Sequence, residues 1–245
     1  METFPIPAPA FSGESRTVSA GNAFDWLRQG WALFTAFPGQ WLLLTVVLLV
    51  AMLALSIVPL IGTLAANMLT PVFMAGMLHA CRRAANGEAP ELGDLFVGFG
   101  KGGGNLALVG LIYMLGMFAI FVVSVLIGGG GALGGVMTGR PIAIGLAFGS
   151  VVLAMLLSMV LSVPLFMALW FAPALVHFNQ MSPIEALRSS FNACVKNVLP
   201  FLVYGVIVLV LSFFAALPLC LGFLVLLPVV SGSIYASYRD IFIAD

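Results

Sequence analysis

Between Arg28 and Arg82 the chain carries no Asp, Glu, Lys or Arg. The same holds between Lys101 and Arg140, between Arg140 and Glu185, and between Lys196 and Arg239. Each stretch is about 40–50 residues long, whereas one helix needs only ~20 apolar residues to cross the hydrocarbon of a bilayer. Such a stretch holds two crossings with a tight turn, or one crossing with a long approach. Unpaired backbone is too costly in lipid for open strands. The short alternating segments of a barrel are absent, which leaves helices. Composition points the same way: 62% of the 245 residues are hydrophobic and 7% are charged, against about 45–50% and 25% in soluble domains. Nine basic and nine acidic side chains cannot cover a water-soluble fold of this size. A soluble enzyme, a nucleic-acid binder and a disordered chain are excluded. The expected fold is an all-α, polytopic membrane helix bundle.

Six segments are expected to span the membrane: 40–58, 60–80, 106–127, 142–178, 198–217 and 219–238. The fourth is too long for one span and too short for two. Charge parity makes it one helix, bent at Pro164 and with a possible break near Gly149. An even number of spans puts Arg16, Arg28, Arg82, Arg83, Lys101, Arg188, Lys196 and Arg239 on one side, with Arg140 alone on the other. Short loops that keep Lys and Arg are cytoplasmic, so both termini are expected in the cytoplasm of a cell with a bacterial-type inner membrane. Residues 1–20 contain Pro5, Pro7, Pro9, Gly13, Ser15 and Ser19 and predict a flexible tail rather than a signal peptide. Residues 21–245 form a single transmembrane domain.

The chain also resembles itself. Asp25-Trp26-Leu27-Arg28-Gln29-Gly30-Trp31 matches Glu185-Ala186-Leu187-Arg188-Ser189-Ser190-Phe191 in residue type, and Asp94-Leu95-Phe96-Val97-Gly98-Phe99 keeps the same core. Pro71-Val72-Phe73-Met74-Ala75-Gly76 parallels Pro228-Val229-Val230-Ser231-Gly232 and is echoed by Pro164-Leu165-Phe166-Met167-Ala168. This predicts a threefold helix–span–span repeat over about 24–83, 93–178 and 184–239, with symmetry about the membrane normal. The surplus of the middle copy lies in a flexible connection around Gly128–Gly131 and Gly134–Gly135.

Each copy begins with a short amphipathic helix. Its stripe is Phe24, Leu27, Trp31 and Phe34 in the first copy, Leu92, Leu95, Phe96 and Phe99 in the second, and Ile184, Leu187, Phe191 and Val195 in the third. Asp25, Asp94 and Glu185 sit at the helix starts, with Lys101 or Lys196 towards the end, as the macrodipole favours. Ser182-Pro183-Ile184-Glu185 reads as a capping box. Such helices lie in the headgroup plane, with cations near anionic lipid, or pack on the protein's own cytoplasmic face. Candidate lipid or partner contacts are Trp26, Arg28, Trp31, Phe99, Arg188, Phe191 and Lys196.

Pro71, Pro164 and Pro228 lie 11–13 residues before Arg83, His177 and Arg239, near the midplane at 1.5 Å per residue. Three bends at one depth could enclose a cavity lined by Pro71, Pro164, Pro228 and Asn67, which is expected to bond across to another helix. Proline is also common in membrane helices without further meaning.

Signs of catalysis are missing. No span carries the acid or base of an ion pathway. His79 and His177 lack further ligands for a metal, and Ser231, Ser233 and His79 make a poor nucleophile–base set. Cys81, Cys194 and Cys220 read as reduced apolar fillers. Gly98-Phe99-Gly100-Lys101-Gly102-Gly103 satisfies Gly-x-Gly-x-x-Gly but lacks the preceding strand that a dinucleotide site requires, so it reads as a hinge. Gly145 and Gly149 predict close helix packing. No cofactor, metal, catalytic residue or nucleic-acid partner is expected.

The residues Pro71-Val72-Phe73, Gly76, Arg82-Arg83, Gly87 and Leu95-Phe96-Val97-Gly98-Phe99 resemble a family of uncharacterised six-span bacterial inner-membrane proteins. The plan is similar, more distantly, to the membrane domain fused to some glycerophosphodiester phosphodiesterases. The resemblance implies topology and location and carries over no catalytic residue. The function expected is non-enzymatic engagement of membrane lipids, a protein partner or a second copy through the amphipathic helices. The alternative is a small transporter or channel for an apolar or amphipathic molecule.

Overall fold

The computed structural model describes Phe11 and residues 13–59, 61–138 and 141–243, with 131–138 and 141–142 as backbone only. Arg140, the lone cation expected on the far side, lies outside the described residues. The order is α1 (Asn22–Ala36), α2 (Pro38–Ser56), α3 (Ile61–Ala85), a 3-10 helix η1 (Leu92–Phe99), α4 (Gly103–Thr138), α5 (Pro141–Asn179), α6 (Pro183–Lys196), α7 (Val198–Ala216) and α8 (Phe223–Phe242). A short helix followed by two long ones thus occurs three times in succession. Apart from an isolated bridge between Phe11 and Ile243, the described residues contain no strand.

Among the described residues, five helices are long and apolar enough to cross a membrane: α2, α3, Gly103–Gly130 of α4, Ala143–Asn179 of α5, and α7. Helix α8 matches α2 and α7 in length, but Arg239, Asp240 and several Ser and Tyr residues make its second half more polar. It begins at Phe223 rather than 219 because Leu219 and Cys220 take left-handed backbone in the turn, at φ of 51° and 66°.

The tertiary core gathers at one end of the bundle. The C-terminal halves of α3, α5 and α8 bury Leu78, Phe171, Leu175, Tyr238 and Phe242. These ends interlock: Phe178 meets Tyr235 edge-on and lies tilted against Tyr238, Arg82 lies 4.7 Å above Phe178, and the Tyr238 hydroxyl donates to Asn179. The opposite ends expose apolar side chains such as Leu53, Phe121 and Phe213, the surface a bilayer would solvate.

Each short helix packs beside a long one. Helix η1 follows α3 and packs on it, α6 follows α5 and packs on it, and α1 packs on α8, the last helix of the chain. Small residues set the approach. A Cβ on Gly30 would stand 2.3 Å from the Val229 carbonyl oxygen, and one on Gly98 2.3 Å from that of Val72. Ser190 instead bonds the backbone it meets, donating to the Met167 carbonyl at 2.7 Å and accepting from the Phe171 N–H at 2.9 Å.

Several expectations are corrected. The glycine-rich stretch from Gly128 is no flexible connection: α4 runs on to Thr138, and Gly128 faces Ala154 of α5. With 36 and 39 residues, α4 and α5 are about 54 and 58 Å long at 1.5 Å per residue, well beyond a ~30 Å core. Gly145 and Gly149 meet no close neighbour within the chain among the described residues, since nothing there lies within 4 Å of a Cβ at either position. The capping box sits on η1, where Glu91 and Asp94 bond each other's backbone N–H. Ser182 stands at the N-cap of α6 but makes no side-chain bond to the helix backbone, and its hydroxyl donates to Glu185 at 3.4 Å. The described end of the expected tail is tied down: Asn197 accepts from the Val18 N–H and donates to the Arg16 carbonyl.

Candidate functional site

The polar side chains converge where the three short helices meet the C-terminal ends of α3, α5 and α8. The first cluster joins the two ends of the chain. Trp26 on α1 is 1% exposed, and its indole Nε1–H donates to Asp240 Oδ2 at 2.8 Å. Asn22 donates to the same oxygen, and Arg16 binds the other carboxylate oxygen at 2.7 Å. Burial raises the Asp240 carboxyl, but the hydrogen bonds from Asn22, Trp26 and Arg16, with the Arg16 charge, outweigh it and hold the group below the usual aspartate range.

A second cluster ties η1 to α3. Arg83 donates to Glu91 at 2.7 Å and to Asp94 at 3.3 Å, and Asp94 is buried at 4% exposure. The Arg83 hydrogen bond and charge hold Glu91 below the usual glutamate range. Beside this lies a pair that the sequence did not suggest: His79 Nδ1 and His177 Nε2 are 3.1 Å apart, with His79 Nε2 3.9 Å from Asp94. One imidazole donates to the other, while Asp94, at 3.9 Å, stands beyond hydrogen-bond distance of the pair. The only signal in the sequence was that both histidines fall near the ends of the second spans of successive copies. Among the described residues no three His, Cys, Asp or Glu side chains could hold a metal.

Around this end the surface is amphipathic. Trp31, Phe99 and Phe191 are exposed, as are Phe24, Phe96 and Ile184 beside them. Arg28 and Arg188 project freely among the described residues, whereas Lys196 donates to the Ser15 carbonyl at 3.1 Å. Of the seven expected contacts, Trp26 alone is buried, because its N–H is drawn to the Asp240 carboxylate inside the body. Burial pushes the Cys194 thiol on α6 up to about 12, so it stays an unreactive thiol.

The four expected cavity residues do not come together. Asn67 faces outward and bonds the Thr63 carbonyl of its own helix at 2.8 Å. Pro71 and Pro228 are packed between helices, while Pro164 is exposed. The large apolar cleft, about 560 Å³, lies instead between α5, α6 and α7 and is lined by none of the four.

No family model and no solved structure matches the chain. It is 33% identical over 232 residues to a probable inner membrane protein of Burkholderia thailandensis, covering 89% of this chain and 82% of that protein. The chain belongs to that family. It is a bacterial inner membrane protein, and the apolar outer faces of α2, α4, α5 and α7 are the surfaces that such a location requires. The relative's name carries no activity.

Proposed function

We propose that this inner membrane protein is a six-span, non-enzymatic anchor that engages anionic lipid through three interfacial helices on its cytoplasmic face. Helix α8 as far as Tyr238 serves as the sixth span, and the chain is a threefold helix–span–span repeat. The order of elements supports this, as does the way Gly30, Gly98 and Ser190, matched in the repeat, each seat a short helix on a long one. The same order is the one implied by the resemblance to the phosphodiesterase-linked membrane domain.

The observation that carries the reading is the placement of Trp31, Phe99 and Phe191. Each follows directly on the small residue that grips the body, so each ring is turned outward at the same polar end. Aromatic rings there sit at the glycerol level, and Arg28 and Arg188 reach the phosphates above. Each cation near an anionic surface contributes ~1 kcal/mol.

Replacing Arg28, Arg188 and Lys196 by Gln, in nanodiscs that mix phosphatidylglycerol and phosphatidylcholine, tests the reading. Preferential recruitment of phosphatidylglycerol should fall, and salt should affect the unmodified protein more than the variant. Equal recruitment by both would refute it.

A further inference from the structure

The cleft between α5, α6 and α7 differs from the other seams of the bundle. Between α3 and α4 the backbones touch, and a Cβ on Gly110 would stand 2.2 Å from the Met68 carbonyl oxygen. Between α5 and α7 the helices part and leave about 560 Å³, within the roughly 300–1,000 Å³ of small-molecule sites. Gly205 lines this gap, and a Cβ placed on it meets nothing within 4 Å. The rim residues Val163, Phe166, Val198 and Leu202 are exposed on helices apolar enough to span, so the cleft opens sideways into hydrocarbon.

Its wall contains one unmet polar requirement. The Tyr204 hydroxyl is bonded to Ser233 at 2.6 Å and the Cys194 thiol points to the Met167 carbonyl. Trp170, wedged among Phe166, Phe201 and Tyr204, has its Nε1–H buried with no acceptor among the described residues. A buried donor without a partner is costly in an apolar setting. A purely hydrocarbon filler would leave that cost in place. Trp170 lies nine residues before the end of α5 at Asn179, about 13 Å along the axis. That is within reach of the glycerol level, where the carbonyls of ester lipids are.

We propose that this cleft binds one acyl chain of a membrane ester lipid, whose ester carbonyl accepts the Trp170 Nε1–H. The site goes beyond the headgroup contacts proposed above and does not depend on them, since none of Arg28, Arg188 and Lys196 lines it. The chain lies along Gly205 and Val208 towards the bilayer centre, with Phe166 and Phe201 flanking its entry.

Native mass spectrometry of the full-length protein, released from detergent with added phosphatidylethanolamine, tests the proposal. The unmodified protein should retain one lipid most tightly, and the diether analogue, which lacks the carbonyl, should bind a few-fold to about tenfold more weakly. Trp170→Phe should bind ester and ether forms equally. Gly205→Phe, whose Cβ meets nothing within 4 Å and whose ring would occupy the gap, should lose that lipid and keep its helical circular dichroism. The ester–ether comparison needs no variant and stands even if a substitution prevents folding. Equal retention of ester and ether lipid by the unmodified protein would overturn the proposal. So would a dimer that binds no such lipid and that Gly205→Phe splits into monomers, because the occupant would then be a second copy. Loss of headgroup preference in the Arg28, Arg188 and Lys196 variant with this lipid retained would separate the two readings.

Discussion

Trp26 Nε1 donates to Asp240 Oδ2 across 214 residues of sequence, and this bond closes the first helix of the chain onto the last. Asp240 lies past the proposed sixth span, where water reaches its edge. Trp26→Phe removes the donor and leaves a smaller aromatic ring in the same buried place. It should cost about 1.5–3 kcal/mol, the scale of a hydrogen bond to a charged group, read by unfolding in mixed micelles.

The same cluster sets a dependence on acid. The carboxyl of Asp240 is held below its unfolded value, so its stabilisation is fully present above the unfolded pKa. It is lost as pH falls through the lower folded value. Melting temperature should therefore fall as pH drops below the usual aspartate range, and Asp240→Asn should flatten that part of the curve while lowering stability near neutrality. A melting curve of the Asn variant parallel to that of the unmodified protein would exclude the role given to Asp240.

Close backbone approach predicts a steep response at two glycines. Gly30→Val and Gly98→Val drive a side chain into the carbonyls of Val229 and Val72, and each should destabilise by at least about 1–3 kcal/mol. Gly39→Ala, where a Cβ meets nothing within 4 Å, should be neutral or slightly stabilising. Unfolding by SDS titration distinguishes these outcomes.

Buried and exposed partners of Arg83 should differ. Arg83→Gln strips the charge from beside Asp94, which is 4% exposed, and leaves an uncompensated carboxylate. Glu91→Gln removes an exposed ion pair and leaves an amide oxygen that can still accept from the backbone N–H of Asp94. The first should lower the melting temperature by several degrees and the second by far less, and comparable shifts would mean that Asp94 draws its support elsewhere.

The six-span arrangement has a built-in probe. Cys81 and Cys194 are buried, whereas Cys220 is exposed in the α7–α8 turn at the end opposite Asp240. A membrane-impermeant maleimide should label intact cells once per chain, and Cys220→Ser should abolish the label. Labelling confined to inside-out vesicles would reverse the proposed orientation.

The long uncharged stretches alone determined that this chain forms membrane helices, and the acid-led motifs at Asp25, Asp94 and Glu185 located all three short helices. Both signals are local, because charge is excluded from hydrocarbon and helix periodicity shows within a few turns. Which aromatic faced inward was decided only by tertiary structure: Trp26 and Trp31 look alike in sequence, yet the first is drawn to a carboxylate 214 residues away. The His79–His177 pair, 98 residues apart, and the cleft behind Trp170 were hidden for the same reason. Lipid is as apolar as a leucine-rich core, so hydropathy cannot tell a lipid-facing side chain from a packed one. Asn67, expected inside, could face outward because its own helix supplied an acceptor, and only the assembled bundle decides which helices touch.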